Sequence, residues 1–103
     1  MGAEPIVVLI AFKIQPGKES LATQVLTSLI ATVRKQEPAC SGITMIRDAA
    51  EPTRVLLYEL WPDRESYMGP HMETRHIKAF QAQAGELFAG PPAITFWDIV
   101  SSV

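Results

Sequence analysis

The chain has 103 residues, 48% of them apolar and 19% charged, with a net charge of −2. That length fits one domain with one modest core, residues 1–103. The near-neutral balance without a basic run argues against a nucleic-acid or anionic-membrane surface, because phosphate binding needs clustered Lys and Arg. Cys40 is the single cysteine, which excludes an intrachain disulfide and a thiolate zinc cage. The start, Met1-Gly2-Ala3-Glu4-Pro5, lacks a signal-peptide pattern, and Ile6 stands where a myristoylation site wants Ser or Thr. A soluble cytoplasmic protein is expected.

Pro5 to Ile14 reads as a strand that stops at the turn Gln15-Pro16-Gly17. Lys18 to Gln36 carries Leu21, Val25, Leu29 and Val33, flanked by Ala22, Leu26 and Ile30, the stripe of an amphipathic helix. Glu37-Pro38 ends it, since the residue before a proline avoids helical backbone. Ile43 to Asp48 and Arg54 to Trp61 read as two strands of a hairpin. Asp63 is a candidate N-cap for a short helical turn interrupted at Gly69-Pro70. From His71 to Phe88 the residues Met72, His76, Phe80, Ala84 and Leu87 recur at helical spacing, and Ile94 to Val100 makes the last strand. The order β-α-β-β-α-β predicts an α+β, ferredoxin-like fold, an antiparallel sheet with helices on one face.

The first strand is apolar on both sides: Val7, Leu9 and Ala11 on one, Ile6, Val8, Ile10 and Phe12 on the other. Two helices cover one face only, so a homodimer with sheets face to face is expected. Val8 and Ile10 are its candidate interface positions.

Glu59 sits between Leu57 and Trp61 on one strand face, an unusual place for a carboxylate, since a buried charge is costly unless paired. It is either a raised-pKa acid or base, or a rim glutamate bonded to backbone or to a basic side chain. His71 and His76 are the only histidines. Five residues apart, they diverge by about 140° on an unbroken helix, which argues against a shared metal site. His76 lies on the apolar stripe and is either a core histidine bonded to an acceptor or a general base. His71, at the helix start, is a cap or points into a pocket mouth. Phe12, Tyr67, Met72 and Phe80, with Trp61, are candidates to line a pocket for a flat aromatic ligand, although most such residues form core. No phosphate-cradling glycine loop and no Gly-x-Ser-x-Gly elbow occurs.

The opening strand ending in Pro16-Gly17-Lys18-Glu19, then Glu37-Pro38, Gly42, Arg47-Asp48, Pro52 and Tyr58-Glu59-Leu60-Trp61 form a recognisable series. With His71-Met72-Glu73-Thr74-Arg75-His76-Ile77-Lys78-Ala79-Phe80 it resembles the antibiotic biosynthesis monooxygenase family, closest to its quinol-monooxygenase branch. The resemblance implies a dimeric α/β barrel. It also implies a monooxygenase that oxidises a quinol, phenol or anthrone-like aromatic with O₂ and without a cofactor. His76 or His71 would act as base and hydrogen-bond donor, and Glu59 would orient a histidine. The haem-degrading branch differs: it carries an Asn on the first strand, where this chain has Val8, Ile10 and Phe12, and a later histidine near the place of Phe80. An isomerase of phosphorylated autoinducer-2 carries a similar two-histidine stretch, so two alternatives stand. One is a non-oxidative isomerase drawing on Lys13, Arg47 or Arg75. The other is a non-catalytic ligand-binding dimer whose cavity Trp61, Phe80 and Phe96 fill.

Overall fold

The computed structural model describes residues 4–103. Four strands, β1 (Ile6–Lys13), β2 (Gly42–Arg47), β3 (Arg54–Trp61) and β4 (Ala93–Trp97), form one antiparallel sheet in the order β2-β3-β1-β4. Helices α1 (Glu19–Gln36), α2 (Arg64–Met68) and α3 (Arg75–Leu87) connect them, with a 3-10 turn at Pro70–Glu73. This is the ferredoxin-like α+β arrangement expected from the sequence. None of the described helices is long and apolar enough to cross a membrane.

Side chains alternate across a strand, so the register sorts them by face. Val8, Ile10 and Phe12 pair with Glu59, Leu57 and Val55, and all six are buried under the helices. Ala22, Leu26 and Val33 of α1 and Phe80 and Leu87 of α3 close the same core. Val8 and Ile10 therefore do not belong to the sheet's outer face, contrary to the expectation that they mark an interface. That face carries Val7, Leu9 and Ala11, opposite Leu60, Tyr58 and Leu56. Tyr58 is 40% exposed there, Ile46 on β2 47% and Trp97 on β4 54%.

Two further expectations are corrected. Leu21 was read as part of the buried stripe of α1, but it is exposed, because the row Ala22-Leu26-Val33 is the one turned to the sheet. The last strand ends at Trp97 rather than Val100.

The second helical segment is not one helix. Asp63 caps α2 by accepting a hydrogen bond from the Ser66 N–H at 2.7 Å, as its sequence position suggested. At Gly69 a Cβ would stand 2.9 Å from the Glu65 carbonyl oxygen, so only glycine lets the chain close over α2. Thr74 is extended, with φ −69° and ψ 151°, and accepts from the Ile77 N–H to open α3. Its hydroxyl donates to the His71 carbonyl at 2.8 Å, tying the two pieces together.

Candidate functional site

The break at Thr74 decides the site. It rotates His71 on the 3-10 turn relative to His76 on the first turn of α3, and both rings converge on one carboxylate. Glu37 Oε1 and Oε2 lie 2.9 Å and 3.0 Å from His71 Nδ1. Glu37 Oε2 also meets His76 Nε2 at 2.5 Å. The expected divergence of the histidines assumed an unbroken helix. Glu37 itself follows the last turn of α1, where the helix dipole disfavours a carboxylate, and two imidazole donors offset that cost. Among the described residues, no group of three His, Cys, Asp or Glu side chains is arranged to hold a metal ion.

His71 is 3% exposed and sits in an aromatic frame, stacked on Tyr67 at 4.8 Å and edge-on to Trp61 at 4.6 Å between ring centroids. Burial holds its imidazole below the ordinary pKa of 6.5, although Glu37 pulls the other way. A neutral ring whose Nδ1–H donates to Glu37 leaves Nε2 as a bare acceptor. The carboxylate thus selects the tautomer, as the acidic member of a catalytic triad does.

His71 belongs to the wall of a cavity of about 410 Å³ between the sheet and the helices. Most of the wall is apolar: Ile10 and Phe12 on β1, Leu29, Ile30 and Val33 on α1, Met72, Ile77 and Phe80, with Pro91, Pro92 and Ile94 closing one side. Glu59 and Tyr67 supply its other ionisable groups. Glu59 Oε1 accepts from the Trp61 indole N–H at 2.8 Å. Burial, reinforced by the charge of Glu37, raises the Glu59 carboxyl to about 7 despite the indole bond. Burial likewise raises the Tyr67 phenol, so its hydroxyl stays protonated. Among the described residues, Glu59 Oε2, Tyr67 Oη and His71 Nε2 form no hydrogen bond, yet no buried polar side-chain atom is left sealed without a partner. Each of the three atoms therefore keeps accessible surface, and all three residues line the cavity.

Phe12, Tyr67, Met72, Phe80, Glu59 and His71 all line this cavity, whereas Trp61 and His76 do not. Trp61 is 1% exposed and lies behind the wall, bracing Glu59 and His71. His76 lines a separate groove between α1 and α3. Glu59 was expected to orient a histidine; Trp61 is its partner instead, and Glu37 orients both rings. Sequence reading treated Glu37 only as a helix end, although a glutamate at a helix C-terminus was itself a signal. Of the cations weighed for a polar substrate, none reaches the cavity: Lys13 pairs with Glu51 at 2.9 Å, Arg47 lines a surface hollow, and Arg75 is exposed.

Comparison with known proteins agrees with this architecture. A search of curated proteins finds no match. A Caulobacter crescentus structure, named as a candidate antibiotic biosynthesis monooxygenase, is 30% identical over 95% of this chain and 92% of its own, with a TM-score of 0.83. A Bordetella bronchiseptica structure so named is 20% identical over 96% of this chain and 100% of its own, with a TM-score of 0.85. One from Nitrosomonas europaea is 18% identical over 97% and 94%, with a TM-score of 0.85. The family model described as antibiotic biosynthesis monooxygenase matches residues 5–83, and the chain belongs to that family.

Proposed function

We propose that the protein is a cofactor-independent monooxygenase that deprotonates a hydroxylated aromatic substrate, a quinol, phenol or anthrone, and lets the resulting anion react with O₂. The observation that carries this reading is the presence of His71, Glu59 and Tyr67 together in the wall of a mostly apolar cavity. An electron-rich aromatic anion can itself pass an electron to O₂. The site therefore has to remove a proton, steady the anion and exclude water.

His71 is the base in this proposal, with Glu37 holding its ring in the accepting tautomer. The Tyr67 hydroxyl donates to the substrate oxygen as negative charge develops on it. Glu59, at a pKa of about 7, is in part protonated at neutrality and serves as a second donor. The apolar walls from Phe12, Met72 and Phe80 hold the ring and strengthen both hydrogen bonds by keeping water out. A cavity without Lys or Arg favours an uncharged aromatic over a phosphorylated substrate, which weighs against the isomerase alternative. The apolar outer sheet face, with Tyr58 and Trp97 exposed, is consistent with a homodimer.

The test is oxygen uptake by purified, metal-stripped protein offered quinols, anthrones and naphthols. Uptake above the buffer autoxidation rate, lost in His71→Gln, is expected. No uptake across the panel by folded wild-type protein would overturn the proposal.

A further inference from the structure

Glu37 stands between two hollows. His71 lines the cavity between the sheet and the helices, and His76 lines a more open groove of about 330 Å³ between α1 and α3. One carboxylate, 11% exposed, binds the inner ring through Nδ1 and the outer ring through Nε2. Among the described residues the Nδ1 of His76 makes no hydrogen bond, and the ring lines the groove. Gln24, Ser28, Thr32 and Gln83 make that groove partly polar.

We propose that Glu37 couples proton uptake by His71 in the cavity to proton release by His76 in the groove. This rests on the reading of His71 as the base. The substrate O–H bond breaks, its electron pair stays on the substrate oxygen, and the proton bonds to His71 Nε2. Two imidazolium rings around one shielded carboxylate repel each other, so the outer ring yields its Nδ1 proton to groove water and keeps the electron pair. The charge of the cluster is unchanged, and no proton passes through Glu37. When His71 returns its proton to the product, His76 recovers one from water. Burial of the inner ring disfavours charge there, whereas the outer ring borders the groove.

Other titratable groups surround the cluster without bonding to either ring. Glu59 on β3 and Tyr67 on α2 face it from the cavity side. The Cys40 thiol, raised to about 11 by burial, lies in the loop after α1. The Arg34 guanidinium on α1 donates to the Cys40 carbonyl at 2.6 Å. The pair around Glu37 is thus the only place where two histidines compete for one counter-charge.

Ring ¹⁵N NMR of the full chain tests the coupling, because His71 and His76 are the only histidines. In His76→Gln the His71 titration midpoint is expected to rise by about one unit, the size of a coupled pair's interaction. A midpoint unmoved in the folded variant overturns the coupling. Wild-type protein supplies an independent reading with 4-nitrophenol, whose ionisation is visible in its absorbance. Nitrophenolate forming in the cavity while His76 loses a proton supports the coupling. Nitrophenolate forming with His76 unchanged overturns it and leaves His71 as base. Nitrophenol that is neither bound nor ionised overturns the base assignment and the coupling together.

Discussion

Glu37 and His71 are 34 residues apart in sequence, yet the carboxylate meets the imidazole Nδ1 at 2.9 Å. That bond joins the end of α1 to the 3-10 turn and fixes which nitrogen of His71 faces the cavity. Replacing Glu37 with Gln tests this directly. The amide nitrogen would donate to Nδ1, turning the accepting Nε2 into an N–H. By analogy with a triad carboxylate changed to its amide, turnover should fall about 10²- to 10⁴-fold while the fold persists. Steady-state rates together with circular dichroism check it; a folded Glu37→Gln protein with wild-type turnover would contradict the tautomer argument.

Glu59 links the cavity to stability. Its folded pKa of about 7 exceeds the unfolded value of 4.5, so the folded state holds this proton more tightly. The contribution is fully present below about pH 4.5 and is lost as pH rises through about 7, amounting to up to about 3 kcal/mol. His71 has the opposite sign: its folded pKa is lowered, so its contribution is present above 6.5 and is lost as pH falls. Glu59→Gln should therefore gain stability relative to the parent as pH rises from about 4.5 through about 7 in urea denaturation. Identical pH profiles for the two proteins would contradict the buried, raised carboxyl.

The two faces of β1 differ in burial, and the proposed homodimer would use the outer one. Leu9→Asp charges the outer face beside Tyr58 and should turn a dimer into a folded monomer in sedimentation velocity. Ile10→Asp instead buries a charge at a position 3% exposed and should cost several kcal/mol, unfolding the chain. A dimer mass unchanged in Leu9→Asp would exclude this face as the interface.

Much of the fold was legible in the sequence because the signals were local. The run of bulky apolar residues through Arg54–Trp61 gave β3 with its observed bounds, and Asp63 was readable as a cap. The site was less legible. Spacing put His71 and His76 on diverging sides of one helix, whereas Gly69 and Thr74 break that helix and bring the rings together. Thr74 carried the N-cap signal, but the helical stripe running across it from Met72 to Phe80 obscured the boundary. Trp61 and Glu59 share a strand face, and each was a candidate for the site, Trp61 as a pocket wall and Glu59 as an acid or base. Only packing distinguishes the indole behind the wall from the carboxylate on it.

The most direct test of the account compares oxygen uptake by His71→Gln and His76→Gln on one substrate that the wild-type protein oxidises. His71→Gln should lose at least about 100-fold, the scale of a missing general base. His76→Gln should stay within about ten-fold of wild type, because its ring touches Glu37 rather than substrate. The reverse order, with His76 indispensable and His71 replaceable, would contradict His71 as the cavity's base.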